Sequence, residues 1–101
     1  MAKQTTGEKE SENLHEGHRQ RLKNRALKEG LRGFEPHQIL ELLLFFTIPR
    51  RDTNPLAHTL LKKFGSLAAV FEAKPEELQT VPGISAHTAF FLSMIPSLAR
   101  A

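Results

Sequence analysis

The segment Val81-Pro82-Gly83-Ile84-Ser85 puts a glycine and a helix-capping serine into one turn, and that pairing suits an anion. Glycine takes positive φ without strain and leaves the main chain bare to an approaching ligand. A helix starting just beyond it offers unpaired amides at the positive end of its dipole. The amides of Gly83 to His87 would then point outward, and the Ser85 hydroxyl would either donate to the anion or cap the helix. A second turn, Ile48-Pro49-Arg50-Arg51-Asp52, holds two guanidiniums at a helix start, a plausible phosphate clamp. A third source of positive charge is His18-Arg19-Gln20-Arg21-Leu22-Lys23-Asn24-Arg25, with four cations in eight residues. On a helix, Arg21, Arg25 and Lys28 share one face, while Leu22 and Ala26 form a narrow apolar seam. Such a strip suits a phosphate backbone; its plain alternative is a solvated helix face.

Other chemistry finds little footing. Without cysteine there is no disulfide scaffold, thiolate zinc finger or cysteine nucleophile. His15 and His18 are three apart, but no carboxylate or third histidine completes a ligand set, so no metal site is expected. Ser66, Ser85 and Ser93 lack a Gly-x-Ser-x-Gly setting, and no phosphate loop ending in Gly-Lys-Ser/Thr occurs. The expectation is a binding module with neither catalytic residues nor a cofactor.

Charge and composition agree. The net charge of +3 conceals an uneven spread: residues 15–65 carry ten Lys or Arg against five acids, and each flank is slightly acidic. Concentrated positive potential attracts an anionic polymer more than the total implies. At 101 residues, 40% hydrophobic and 25% charged, the chain has the composition of one globular domain with a modest core. No apolar run reaches the ~18 residues that span a bilayer, and none has signal-peptide flanks, so no membrane partner is expected. The missing cysteines fit a cytoplasmic location.

The elements that must position these residues read as helices. Residues 1–13 lack bulky apolar side chains after Met1 and read as a frayed tail, leaving a domain over 14–101. Beyond them, apolar positions recur at steps of three and four. A first helix is expected from His15 or His18 to Glu29, stopped by Gly30. A second should run from Pro36 to Phe46 or Thr47 as the buried centre, because Ile39–Phe46 is apolar except for Glu41. Thr53 or Asn54 caps a third that ends at Phe64-Gly65, and Ser66 caps a short fourth over Leu67–Glu72. A fifth begins at Pro75, and Ala86–Leu98 forms the last, with Pro96 a potential kink. The fold class is all-α, a compact bundle of five to six short helices.

The segment Leu78-Gln79-Thr80-Val81-Pro82-Gly83-Ile84-Ser85, with Ala89 following, resembles a helix-hairpin-helix motif. In that motif the apolar residue after the glycine plugs the two helices, a small residue lets them cross closely, and the turn holds a nucleic-acid phosphate. Ser85 stands where the second glycine usually does, and His87 where Lys or Arg is common. Leu44–Pro49 followed by Leu56–Leu61 faintly echoes Leu78–Pro82 followed by Ala86–Phe91, suggesting a pseudo-duplicated hairpin pair.

Three stretches taken together go further: His15-Glu16-Gly17-His18-Arg19-Gln20-Arg21-Leu22; Glu41-Leu42-Leu43-Leu44-Phe45 with Pro49-Arg50-Arg51-Asp52; and Phe64-Gly65-Ser66-Leu67 leading into Val81-Pro82-Gly83-Ile84. In this order they resemble the N-terminal domain of the RadC family of DNA-repair proteins, over about residues 15–101. The resemblance implies a fragment whose catalytic metal-dependent domain, of the JAB1/MPN type, would follow Ala101. It also implies binding to DNA backbone without sequence preference, through Gly83, Ile84, Ser85 and His87, with Arg50, Arg51, Arg19, Arg21, Arg25 and Lys28 assisting. Expected partners are DNA and the chain's own downstream domain. The rival expectation is a protein-interaction module that packs on that domain or forms a homo-oligomer, suggested by the adjacent Phe90 and Phe91.

Overall fold

The computed structural model describes the main chain of Ala2–Ala101 and the side chains of Leu14 and residues 16–101; over 2–13, expected as a frayed tail, the main chain is already helical, so the first helix begins well before His15 or His18. The order is α1 (Ala2–Glu29), α2 (Pro36–Leu44), α3 (Asn54–Phe64), α4 (Leu67–Glu72), α5 (Pro75–Leu78) and α6 (Ala86–Arg100). No strand occurs among the described residues.

Local chemistry explains most boundaries. Pro36 starts α2, and the Glu35 amide donates to Gln38 Oε1 at 2.9 Å, a capping contact that satisfies one orphan donor. The end of α2 falls earlier than expected: Phe46 and Thr47 donate to the carbonyls three residues back, a tightening that finishes the helix at Leu44. Thr53 holds the N-cap position of α3 without a side-chain capping bond, and the Asp52 carboxylate before it accepts from the Asn54 amide at 3.0 Å, an Asx-type turn into the helix. Ser66 caps α4 as expected, its hydroxyl accepting from the Ala69 amide. The last helix runs through Pro96 to Arg100.

Two helical hairpins pack into one core. α2 lies against α3, α5 against α6, and α4 joins them by touching α2, α3 and α6. Leu40, Leu44, Ile48, Leu56, Leu60, Val70, Leu78, Val81, Ile84 and Leu92 fill the space between, with Ala57 and Ala89 fully buried. Ile84, in the turn before α6, is buried in this core. α1 stands apart from that core and packs on α2 and the loops at its two ends through a smaller cluster of Leu22, Phe34 and Phe45.

Burial also corrects the register of the internal echo. The expected alignment pairs Leu56 with Ala86, yet Leu56 and Ala57 are buried whereas Ala86 and His87 are exposed. The equivalent positions lie two residues further on: Thr53 and Ser85 are both N-caps, Ala57 matches Ala89, and Leu60 matches Leu92. Leu44 and Leu78 match before the turns, so the first turn is the longer by two residues. Both hairpins thus use a leucine and an alanine of the second helix as their shared packing surface.

Replacing Leu60, fully buried where α3 meets its neighbours, by Ala should cost about 2–5 kcal/mol of unfolding free energy. Urea titration followed by circular dichroism measures it, and a loss below about 1 kcal/mol would contradict a single shared core.

Candidate functional site

The turn before α3 and the turn before α6 meet at Arg51 and Gly83. Gly83 adopts φ 97, the left-handed conformation that its turn requires. A methyl group at Gly83 would stand 3.3 Å from Nη1 and 3.5 Å from Nη2 of Arg51, and 3.6 Å from Leu56 Cδ1. The Arg51 guanidinium is thus laid against the bare backbone of the second turn, a proximity that the sequence gives no means to foresee.

The amides of that turn divide into used and unused donors. Ile84 donates to the Val81 carbonyl at 3.1 Å, and the Thr88 amide donates to Ser85 Oγ at 3.2 Å. Among the described residues, the amides of Gly83, Ser85, Ala86 and His87 have no intramolecular partner, and all four residues are exposed. Of the two roles open to the Ser85 hydroxyl, capping is the one it plays. The result is an exposed turn with outward donors, a helix N-terminus and a cation alongside, which attracts anions by partial charge and by full charge together.

Arg19 holds the first turn in place. It is only 5% exposed. Its Nη2 donates to the carbonyls of Ile48 and Arg51, both at 2.5 Å, and its guanidinium carbon lies 4.7 Å from the centroid of the Phe45 ring. Burial lowers its pKa below the usual arginine value, and the carboxylates of Glu16 and Asp52 act in the opposite direction. Next to it, His18 Nε2 donates to Glu41 Oε1 at 3.2 Å, so the one acid in the apolar run of α2 is buried with a partner from α1.

The predicted phosphate ligands therefore separate into groups. Arg51, Gly83, Ser85 and His87 come together or follow one another at the corner, and Arg50 is exposed on the adjoining turn. Arg19 is buried apart from the surface, its Nη1 and Nη2 donating to main-chain carbonyls. Ile84 offers neither an exposed side chain nor an unused amide. Arg25 is engaged at the far end of α1, donating to the Gly33 carbonyl at 2.8 Å, lying over Phe34 and pairing with Glu29. Arg21 and Lys28 are exposed, but Lys28 follows Arg19 by nine residues, about 14 Å along the axis and toward the end of α1 away from the turn. Among the described residues, no three His, Cys, Asp or Glu converge to hold a metal, and no helix is long and apolar enough to cross a membrane.

The role of Arg19 did have a signal in the sequence. It precedes Leu22 by three and Ala26 by seven, so helical spacing puts it on the apolar seam and not on the face of Arg21 and Arg25. The stacking of His37 on His58, with ring centroids 4.4 Å apart between α2 and α3, had none.

The class defined by this geometry is a small all-helical module of two packed hairpins with a basic, donor-rich corner. The chain is 42% identical over 88 residues to the UPF0758 protein FN0909 of Fusobacterium nucleatum subsp. nucleatum, an alignment that covers 87% of this chain and 38% of that protein. It is thus a homologue of a UPF0758 protein over most of its own length, while spanning well under half the length of that relative. No family model matches the chain, and no solved structure does.

Arg19→Ala should lower the unfolding free energy by about 2–4 kcal/mol, because two carbonyls lose a charged donor in a buried place. Arg19→Lys should recover less than half, since a single ammonium cannot reproduce the fork. Thermal and urea unfolding test both, and a fully stable alanine variant would show that the clamp is incidental.

Proposed function

We propose that the chain is the DNA-contacting unit of a RadC-like repair protein and grips the phosphate backbone without reading base sequence. The observation that carries this reading is the juxtaposition of Arg51 with Gly83. A phosphate resting on the unused amides of Gly83, Ser85, Ala86 and His87 would lie beside that guanidinium, with Arg50 on the same rim. Main-chain donors and arginine contact phosphate oxygens and touch no base, so the grip would be indifferent to sequence.

Similarity to a UPF0758 protein supports a RadC-like assignment, and the α5–α6 turn supports a helix-hairpin-helix reading of its geometry. Leu78 precedes the turn, Ile84 plugs it and Ala89 lies at the close crossing, all three buried. In this proposal the module delivers a C-terminal metal-dependent domain to DNA, and catalysis belongs to that domain. A second reading, favoured by the 63% exposure of Phe90 on α6, is a protein-interaction module that docks on that domain or on another copy. That reading expects self-association seen by light scattering to vanish in Phe90→Ser.

Two or three phosphate contacts imply a slope of log affinity against log salt of about −2 to −3. Fluorescence anisotropy of a labelled duplex of arbitrary sequence, at several salt concentrations, measures it. Arg51→Ala should weaken binding and make the slope shallower by about 1, whereas Lys28→Ala should change affinity by less than about twofold. Equal losses in the two variants would place the contact on the α1 face and overturn the assignment to the corner.

A further inference from the structure

A groove of about 370 Å³ runs between α1 and α2, lined by Lys23, Ala26, Leu27, Leu31, Leu42 and Phe46. We propose that it seats a short amphipathic helix of another protein, apolar on the docking side and flanked by carboxylates. None of its residues belongs to the corner of Arg51 and Gly83, and the inference does not rest on DNA binding.

Leu27 is 86% exposed and Phe46 66%, with Leu31 also exposed, so three large apolar side chains share one open surface over a partly buried floor of Ala26 and Leu42. A patch of this kind on a small domain marks an interaction site more often than a scattered exposed leucine does. The shape of the walls selects the occupant. Lys23, Ala26 and Leu27 come from α1 and Leu42 from α2, with Leu31 and Phe46 just past the ends of those helices, and no strand occurs among the described residues, so an added strand would find no sheet edge to pair with. Lys23 to Leu27 is one turn of α1, and Leu31 beyond Gly30 extends the apolar rim past the helix end, room for a docked helix to present anchors at i and i+4 with a third further along.

Charge selects the partner's sign. Lys23 is the charged residue that lines the groove, its ammonium 5.8 Å from the centroid of the Phe46 ring. No acid lines the groove, and the nearby Glu29 carboxylate lies 3.4 Å from Arg25 Nε. A second copy of this face would bring like charges together across a two-fold axis, whereas a helix with glutamates beside its apolar stripe meets complementary charge.

The test uses two labelled 16-residue peptides and the 101-residue chain. One carries Leu at i, i+4 and i+7 with Glu on either side; the other replaces each Glu by Lys. Anisotropy should show saturable binding of the acidic peptide and at least about tenfold weaker binding of the basic one, roughly 1.4 kcal/mol. Leu27→Glu and Phe46→Ser, both at exposed positions, should each weaken the acidic peptide by at least about tenfold while leaving the melting curve and duplex affinity in place. No binding of the acidic peptide up to about 1 mM, equal binding of both peptides, or a dimer dispersed by Leu27→Glu would overturn the proposal. Because the duplex titration is separate, failure here leaves the DNA reading standing, and the converse holds.

Discussion

One buried guanidinium ties the long first helix to the rest of the molecule. Arg19 gives hydrogen bonds to the carbonyls of Ile48 and Arg51, and its plane lies against Phe45. Buried carbonyls at a turn need donors, and a flat, forked cation serves two at once with little loss of freedom. Fixing the Arg51 main chain limits where the Arg51 side chain can reach. That reach ends against Gly83, so the geometry of the exposed corner descends from a contact made on the opposite side of the same turn.

Neighbouring cations in this chain therefore do different work. Arg19 supports the fold, Arg25 ties α1 to the loop at Gly33 and Phe34, Lys63 donates to the Thr80 hydroxyl between the two hairpins, and Arg51 stands at the surface beside unused amides. Net charge alone does not distinguish these roles, because the deciding quantity is whether a donor has already found a carbonyl. Glu41 follows the same logic with the sign reversed: a carboxylate buried in the centre of α2 is tolerated because His18 reaches it from α1.

The paired hairpins explain how so short a chain builds a core. Each contributes a leucine and an alanine from its second helix, and Ile48 and Val81 close the two turns from beneath. α4 links them without a long connection. α1 is attached through a separate small cluster and the arginine clamp, which leaves its outer face and the groove beside α2 open.

The helices were largely written in the sequence, because proline, glycine and serine at their ends act through local dihedrals and local hydrogen bonds. Pro36, Ser66, Pro75, Ser85 and the Phe64-Gly65 stop all set boundaries in that way. Buried Ile84 and Ala89 were equally visible, since their size and place in the turn are properties of the segment itself. The register of the echo was not, because short apolar helices can be aligned in several ways until burial selects one. Nor could the string of residues say which arginine faces carbonyls and which faces solvent. That choice belongs to tertiary structure: it depends on which main-chain acceptors another helix brings within reach, and those acceptors lie more than twenty residues away along the chain.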